Sequence, residues 1–179
     1  QNVVDSSEIV NTLAAGGVST VGYAGADLER SRGLLDRFRT DDGSTKDVSD
    51  RTTRLTSLVR QATAGRLTLP CEVESAERAL LVVSGPSEEL DRKGIESARN
   101  WLEEQTDSLE VRGGDYPIPG EGRVAASVLL SGVTDVPRVK ALQRIAVETK
   151  DAMSENRARS REELQGLIGD DGDELQPLF

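Results

Sequence analysis

A chain of 179 residues, 36% hydrophobic and only 3% aromatic, is long enough for one domain with an extra piece, its core built from Val, Leu, Ile and Ala. It has no histidine and a single cysteine, Cys71, which excludes His-based triads, an internal disulfide and a zinc cluster within the chain and leaves serine–lysine or carboxylate chemistry open. The net charge of −10, from 32 acidic against 22 basic residues, argues against nucleic acid or anionic lipid as the main partner.

Residues 1–17 begin extended and turn into a short helix. Asp5 or Ser6 caps it, Glu8 falls in the first turn where the helix dipole favours a carboxylate, and Gly16 and Gly17 stop it. Residues 18–24, VSTVGYA, predict a strand. Residues 25–50 are the least regular part: Leu28, Leu34, Leu35 and Phe38 suit a short helix, and residues 40–47, TDDGSTKD, read as a solvated loop. Helical spacing resumes with Leu55, Leu58, Val59 and Ala62 and ends near Gly65, before a connector over residues 67–77 that contains Pro70.

Residues 79–84 have the near-continuous apolar profile of a strand buried on both faces. Gly85 and Pro86 break it, Ser87 caps the next element, and Leu90, Gly94, Ile95, Ala98, Trp101 and Leu102 predict an amphipathic helix over 87–104. On its outer face Glu88 is expected to pair with Arg92, and Glu89 with Lys93. This strand, turn and helix is the expected centre of the core. A short strand over 108–112, a loop over 113–122 and a strongly apolar strand over 123–131 come next. Pro137 starts a last helix in which Val139, Leu142, Ile145 and Ala146 share a face; beyond Lys150 it becomes charged, with a late apolar patch at Leu164, Leu167 and Ile168.

The expected fold is α+β, a mixed sheet of about four strands covered by the helices around 51–64 and 87–104, with a further C-terminal helix. No apolar run reaches the length of a membrane span and no basic-then-apolar leader precedes the domain, so a cytoplasmic protein without membrane insertion is expected. The chain opens in mid-element without an initiator methionine and reads as a piece of something longer.

Chemistry concentrates in residues 2–8, Asn-Val-Val-Asp-Ser-Ser-Glu. Asp5 and Glu8, three apart at a helix start, lie on one side of its first turn, where a carboxylate can orient and polarise water for attack on a phosphoryl group presented by another chain or domain. The same D-x-x-E pattern also serves plain capping and dipole compensation, the structural alternative.

The N-x-x-D-x-x-E segment, the strand VSTVGYA, then RALLVVSGPSEEL and finally RVAASVLLSG occur in an order that resembles the C-terminal half of the tubulin/FtsZ superfamily, and most closely the CetZ group of salt-loving archaea. Lys46, Lys93, Lys140 and Lys150 are the only lysines, and an acidic, arginine-over-lysine chain suits concentrated salt, where carboxylates hold water and repulsion is screened. The resemblance implies a cytoskeletal GTPase that assembles head to tail, with Mg²⁺-bound GTP on a missing N-terminal domain and the next subunit's acidic residues activating the hydrolytic water. Those residues would be Glu8 and Asp5, with Asn2 as the accompanying asparagine, although Val3 and Val4 separate it from Asp5 by one residue more than the family usually has.

On this division residues 1–17 are the activating loop and short helix, 18–135 the α+β sandwich, 136–168 a helical region and 169–179 an acidic tail. The tail's ELQPLF end is a candidate adaptor peptide, and self-association into protofilaments is the expected partnership, serving cell shape or division. The family's glycine-rich phosphate loop is absent, so this chain alone is expected neither to hold GTP tightly nor to hydrolyse it. The competing expectation is a non-catalytic regulatory or protein-interaction domain in which Asp5 and Glu8 only cap a helix.

Overall fold

The runs of Leu and Val that predict buried strands pair with one another at the middle of the sheet. The computed structural model describes residues 4–28, 44–106, 108, 110–120 and 122–170. In chain order the elements are α1 (Ser6–Leu13), β1 (Val18–Asp27), α2 (Ser44–Gly65), a 3₁₀ turn (Val73–Ser75), β2 (Arg78–Gly85), α3 (Arg92–Thr106), β3 (Glu110–Pro117), β4 (Arg123–Val133) and α4 (Pro137–Asp170). The sheet order is β1-β4-β2-β3, with β4 antiparallel to both neighbours and β2 parallel to β3. It is the expected mixed four-stranded α+β sheet.

Period-two alternation sorts the side chains between two faces. Ala79, Leu81 and Val83 of β2 and Val124, Ala126, Val128 and Leu130 of β4 are buried together with Leu55, Leu58, Val59 and Ala62 of α2 and Ala98 and Leu102 of α3. α2 packs on β1 and β4 and α3 on β2 and β3, so the two helices cover one face side by side. α1 packs on β2 and β4, where Ile9, Leu13, Val21, Leu80, Val82 and Leu129 line an apolar groove of about 420 Å³. The closest approach is at Gly22 in β1: a Cβ there would lie 2.9 Å from the Ala62 carbonyl carbon and closer still to its oxygen.

Several boundaries differ from expectation. α3 begins at Arg92, five residues after Ser87, and its N-terminal anchor is Asp91, whose carboxylate accepts from the Gly94 N–H at 2.8 Å. Glu89 therefore lies outside the helix, where it pairs with Arg54 at 2.8 Å and Arg51 at 3.9 Å, while Arg92 pairs with Glu96. β3 runs on through Gly113, Gly114 and Asp115 to Pro117, because β2 supplies a parallel partner residue by residue over Arg78–Gly85. Residues 44–47, placed in a loop by composition, form the first turn of α2. Trp101 is half-buried at the helix surface with the Arg60 guanidinium 5.3 Å from its ring centre, a cation–π contact outside the core centre. The helix expected from Leu34, Leu35 and Phe38 lies outside the described residues, as do Asn2 and the ELQPLF tail.

Gln1–Val136 form one compact unit and Pro137–Phe179 a second. In the second, α4 is one continuous helix through its charged half. Among the described residues no helix is long and apolar enough to cross a membrane.

Candidate functional site

Asp5 is the N-cap of α1: its backbone is extended, and Oδ1 accepts from the Ser7 N–H at 2.7 Å and the Glu8 N–H at 3.2 Å. The Ser7 hydroxyl also donates to that oxygen. Bonds from the Ser7 hydroxyl, the Ser7 N–H and the Glu8 N–H all favour the ionised form and hold the Asp5 carboxyl below its usual range. Because the folded value lies below the unfolded one, the stability this cap contributes is complete above the unfolded value of about 4 and is lost as pH falls through the folded one. Protonation at low pH, or Asp5→Ala at neutral pH, is thus expected to lower the protection factors of the Ser7 and Glu8 amides, each taken relative to its intrinsic rate at that pH, while leaving those of the strand amides of β2 and β4 unchanged. Two-dimensional NMR exchange measurements check this.

Glu8 sits in the first turn of α1, turned toward the sheet. Arg112 Nη1 donates to its Oε2 at 2.9 Å, and Nη2 of the same guanidinium donates to Glu110 at 2.9 Å. Glu110 in turn pairs with Arg78 at 2.9 Å, whose Nη1 donates to the Asn11 carbonyl of α1 at 2.6 Å. The Glu8 and Glu110 bonds, in that order, push the Arg112 guanidinium to still firmer protonation. α1 is therefore tied to the edge of the sheet through alternating charges at two points. The pairs are partly exposed, so they contribute orientation more than stability.

Val4 completes the attachment. Its N–H donates to the Asp115 carbonyl of β3, an edge strand of the sheet, at 3.4 Å. Val4, Glu8, Arg99, Arg112 and Gly113 line a cavity of about 220 Å³ there. The structure thus brings Asp5 and Glu8 to one turn and gives them different work: Asp5 is engaged with its own helix, while Glu8 has one oxygen held and Oε1 without a hydrogen bond to the described residues.

Nothing local in the sequence marks Arg112, Glu110 and Arg78 as partners of Glu8. Glu110 and Arg112, two apart in a strand, were readable as a same-face pair. Their link to Glu8, 104 positions away, depends on the β2–β3 register. None of the described glycine pairs forms a phosphate cradle: Gly16 and Gly17, at φ of 74° and 65°, turn the chain into β1, and Gly113 and Gly114 lie within β3. Nor do the described residues group three His, Cys, Asp or Glu side chains where a metal ion could be held.

A four-stranded mixed sheet with two helices on one face and an acid-capped helix on the other is the fold of the C-terminal domain in tubulin-like proteins. The family model "Tubulin-like CetZ, C-terminal domain" matches residues 1–148. Tubulin-like protein CetZ3 of Haloferax volcanii is 55% identical over 180 residues, covering 100% of this chain and 46% of that protein. The solved GDP-bound monomer of CetZ1 from the same organism is 59% identical with a TM-score of 0.69, over 83% of this chain and 39% of that one. The GTPγS-bound protofilament of CetZ2, also from Haloferax volcanii, is 35% identical with a TM-score of 0.69, over 86% of this chain and 40% of that one. The chain belongs to the CetZ family of tubulin-like proteins. It spans less than half the length of these relatives.

Proposed function

We propose that this chain is the activating half of a GTPase that polymerises head to tail, in which Glu8 orients and polarises the water that attacks the GTP of the adjacent subunit. The observation that carries the proposal is the position of Glu8: at the start of a helix, beside a cavity at the sheet edge, one carboxylate oxygen fixed by Arg112 and the other without a hydrogen bond to the described residues. A carboxylate so held can accept a hydrogen bond from water without reorganising first. The GTP and its Mg²⁺ belong to the neighbour in this scheme, and Asp5 acts by fixing the turn that carries Glu8. That CetZ2 is solved as a nucleotide-bound protofilament and CetZ1 with GDP supports extending both properties to this chain's full-length form.

The second reading, a non-catalytic interaction domain, draws on the same turn, since among the described residues the Asp5 carboxylate accepts only from Ser7 and Glu8 of its own helix, two of the bonds being capping bonds. Sedimentation of the protein joined to its nucleotide-binding half separates the two. Head-to-tail assembly predicts that GTP or GTPγS moves most of the protein into the pellet and that the nucleotide-free sample stays in the supernatant. An equal distribution with and without nucleotide selects the interaction domain.

A further inference from the structure

On the helix-covered side of β3 the structure contains an unexplained pair of polar groups. Asp115 is 3% exposed, and its Oδ2 has no hydrogen-bond partner. Arg99 of α3 faces the same space, and its buried Nε is likewise unpartnered. Buried polar atoms are almost always satisfied, and a lone carboxylate oxygen is among the costlier exceptions, so an orphaned acceptor and an orphaned donor in one place call for a common explanation. The two residues line a cavity of about 380 Å³ between α3 and β3, with Leu90, Arg92, Ile95 and Glu96 around them. That volume lies at the lower end of the roughly 300–1,000 Å³ of ordinary ligand pockets.

The lining determines what fits. Arg92 and Glu96 pair with each other at the exposed rim, at 2.8 Å, leaving one carboxylate and one guanidinium inside. Opposite charges there disfavour a lone cation or anion. A neutral group with a donor and an acceptor side by side answers both orphans: a side-chain carboxamide or a peptide unit, its N–H toward Asp115 and its C=O toward Arg99. The position determines where it comes from. Arg99 and Gly113 line both this cavity and the one at Glu8, and the Asp115 carbonyl accepts from Val4, which lines the second. A neighbour that brings a phosphate to Glu8 must lie along this same edge.

We infer that the α3–β3 cavity is a socket for an amide-bearing segment of a second copy of the protein, seated in the same longitudinal contact that presents GTP to Glu8. The inference rests on the head-to-tail reading above. It gives Asp115 and Arg99 a role in assembly that Glu8 lacks: they fix the neighbour in place and take no part in the chemistry.

The test uses the protein with its nucleotide-binding half and GTPγS, so that hydrolysis does not enter. Asp115→Leu keeps the branched shape of the side chain and Arg99→Met its approximate volume, and both remove the orphaned atoms. Each is expected to raise the critical concentration for sedimentation at least tenfold while the monomer melts at or above the wild-type temperature, because a buried unpaired group has been removed. Variants that melt like wild type and assemble within twofold of it overturn the socket and leave a cavity that holds only water. Hydroxyl-radical footprinting of the unmodified protein decides the matter even if a variant fails to fold: modification of Ile95 is expected to fall at least threefold on assembly, and unchanged modification in polymer overturns the inference. If wild type does not assemble with GTPγS at all, the head-to-tail reading fails and the socket with it; if wild type assembles and the variants match it, only the socket fails.

Discussion

Glu8→Gln, in the protein carrying its nucleotide-binding half, is expected to lower GTP turnover at matched polymer mass by about a hundredfold, the lower end of what a positioned general base contributes. Gln keeps the length and the hydrogen bond from Arg112 but removes the charge that draws a proton from water. Assembly in GTPγS should be unchanged, because the substitution alters no apolar contact and leaves the Asp5 cap intact. Arg112→Gln is the companion variant. With the Glu8 carboxylate retained but no longer held at 2.9 Å, turnover should fall roughly tenfold, through misplacement of the base. Phosphate release and pelleted mass measured on the same samples check both. Turnover within twofold of wild type for Glu8→Gln rules out the catalytic role and leaves Glu8 as an orienting partner for Arg112.

Gly22→Val is expected to be the most damaging single change to the fold. The β1 backbone passes directly under the Ala62 carbonyl of α2, leaving no room for a Cβ, let alone a branched side chain. Either α2 lifts from the sheet, exposing Leu55, Leu58 and Val59, or β1 leaves its ladder with β4. Both routes forfeit core burial, and overpacking against a backbone that cannot yield is expected to cost about 3 kcal/mol or more. Gly122→Ala serves as the control. Its Cβ would meet nothing within 4 Å, and it should stay within about 0.5 kcal/mol of wild type. Urea midpoints for the two variants measure the difference.

The central elements were legible because period and propensity agree there. Leu80 to Val83 and Val124 to Leu130 are apolar enough to be strands in any context, and Leu55, Leu58, Val59 and Ala62 recur at helical spacing. Misreadings fell where a tertiary partner overrides local preference. Gly113 and Gly114 signal a loop by composition, yet β2 lies alongside and completes their ladder. Glu88 and Glu89 have helical spacing to Arg92 and Lys93, but Asp91 caps α3 after them and Arg54 of α2 captures Glu89. At the site, the acidic turn was readable because capping is local. The clamp on Glu8 and the orphaned Asp115 were not, since each depends on which strand lies beside β3.

The strand order also has a consequence for synthesis. β4 lies between β1 and β2 and is antiparallel to both, so two of the three ladders await the last strand to be made. β1 ends at Asp27 and, beyond a short bridge from Gly22 to Leu67, has no strand beside it until Arg123 is made, a wait of about 5–20 s at ribosomal rates near 5–20 residues per second. Throughout that interval Val21, Tyr23, Leu80 and Leu81 belong to strands whose shared neighbour does not yet exist. Closure comes late and from the middle, the costly order for a chain whose contacts are far apart in sequence. A nascent chain stalled before residue 123 therefore lacks the seam of its sheet.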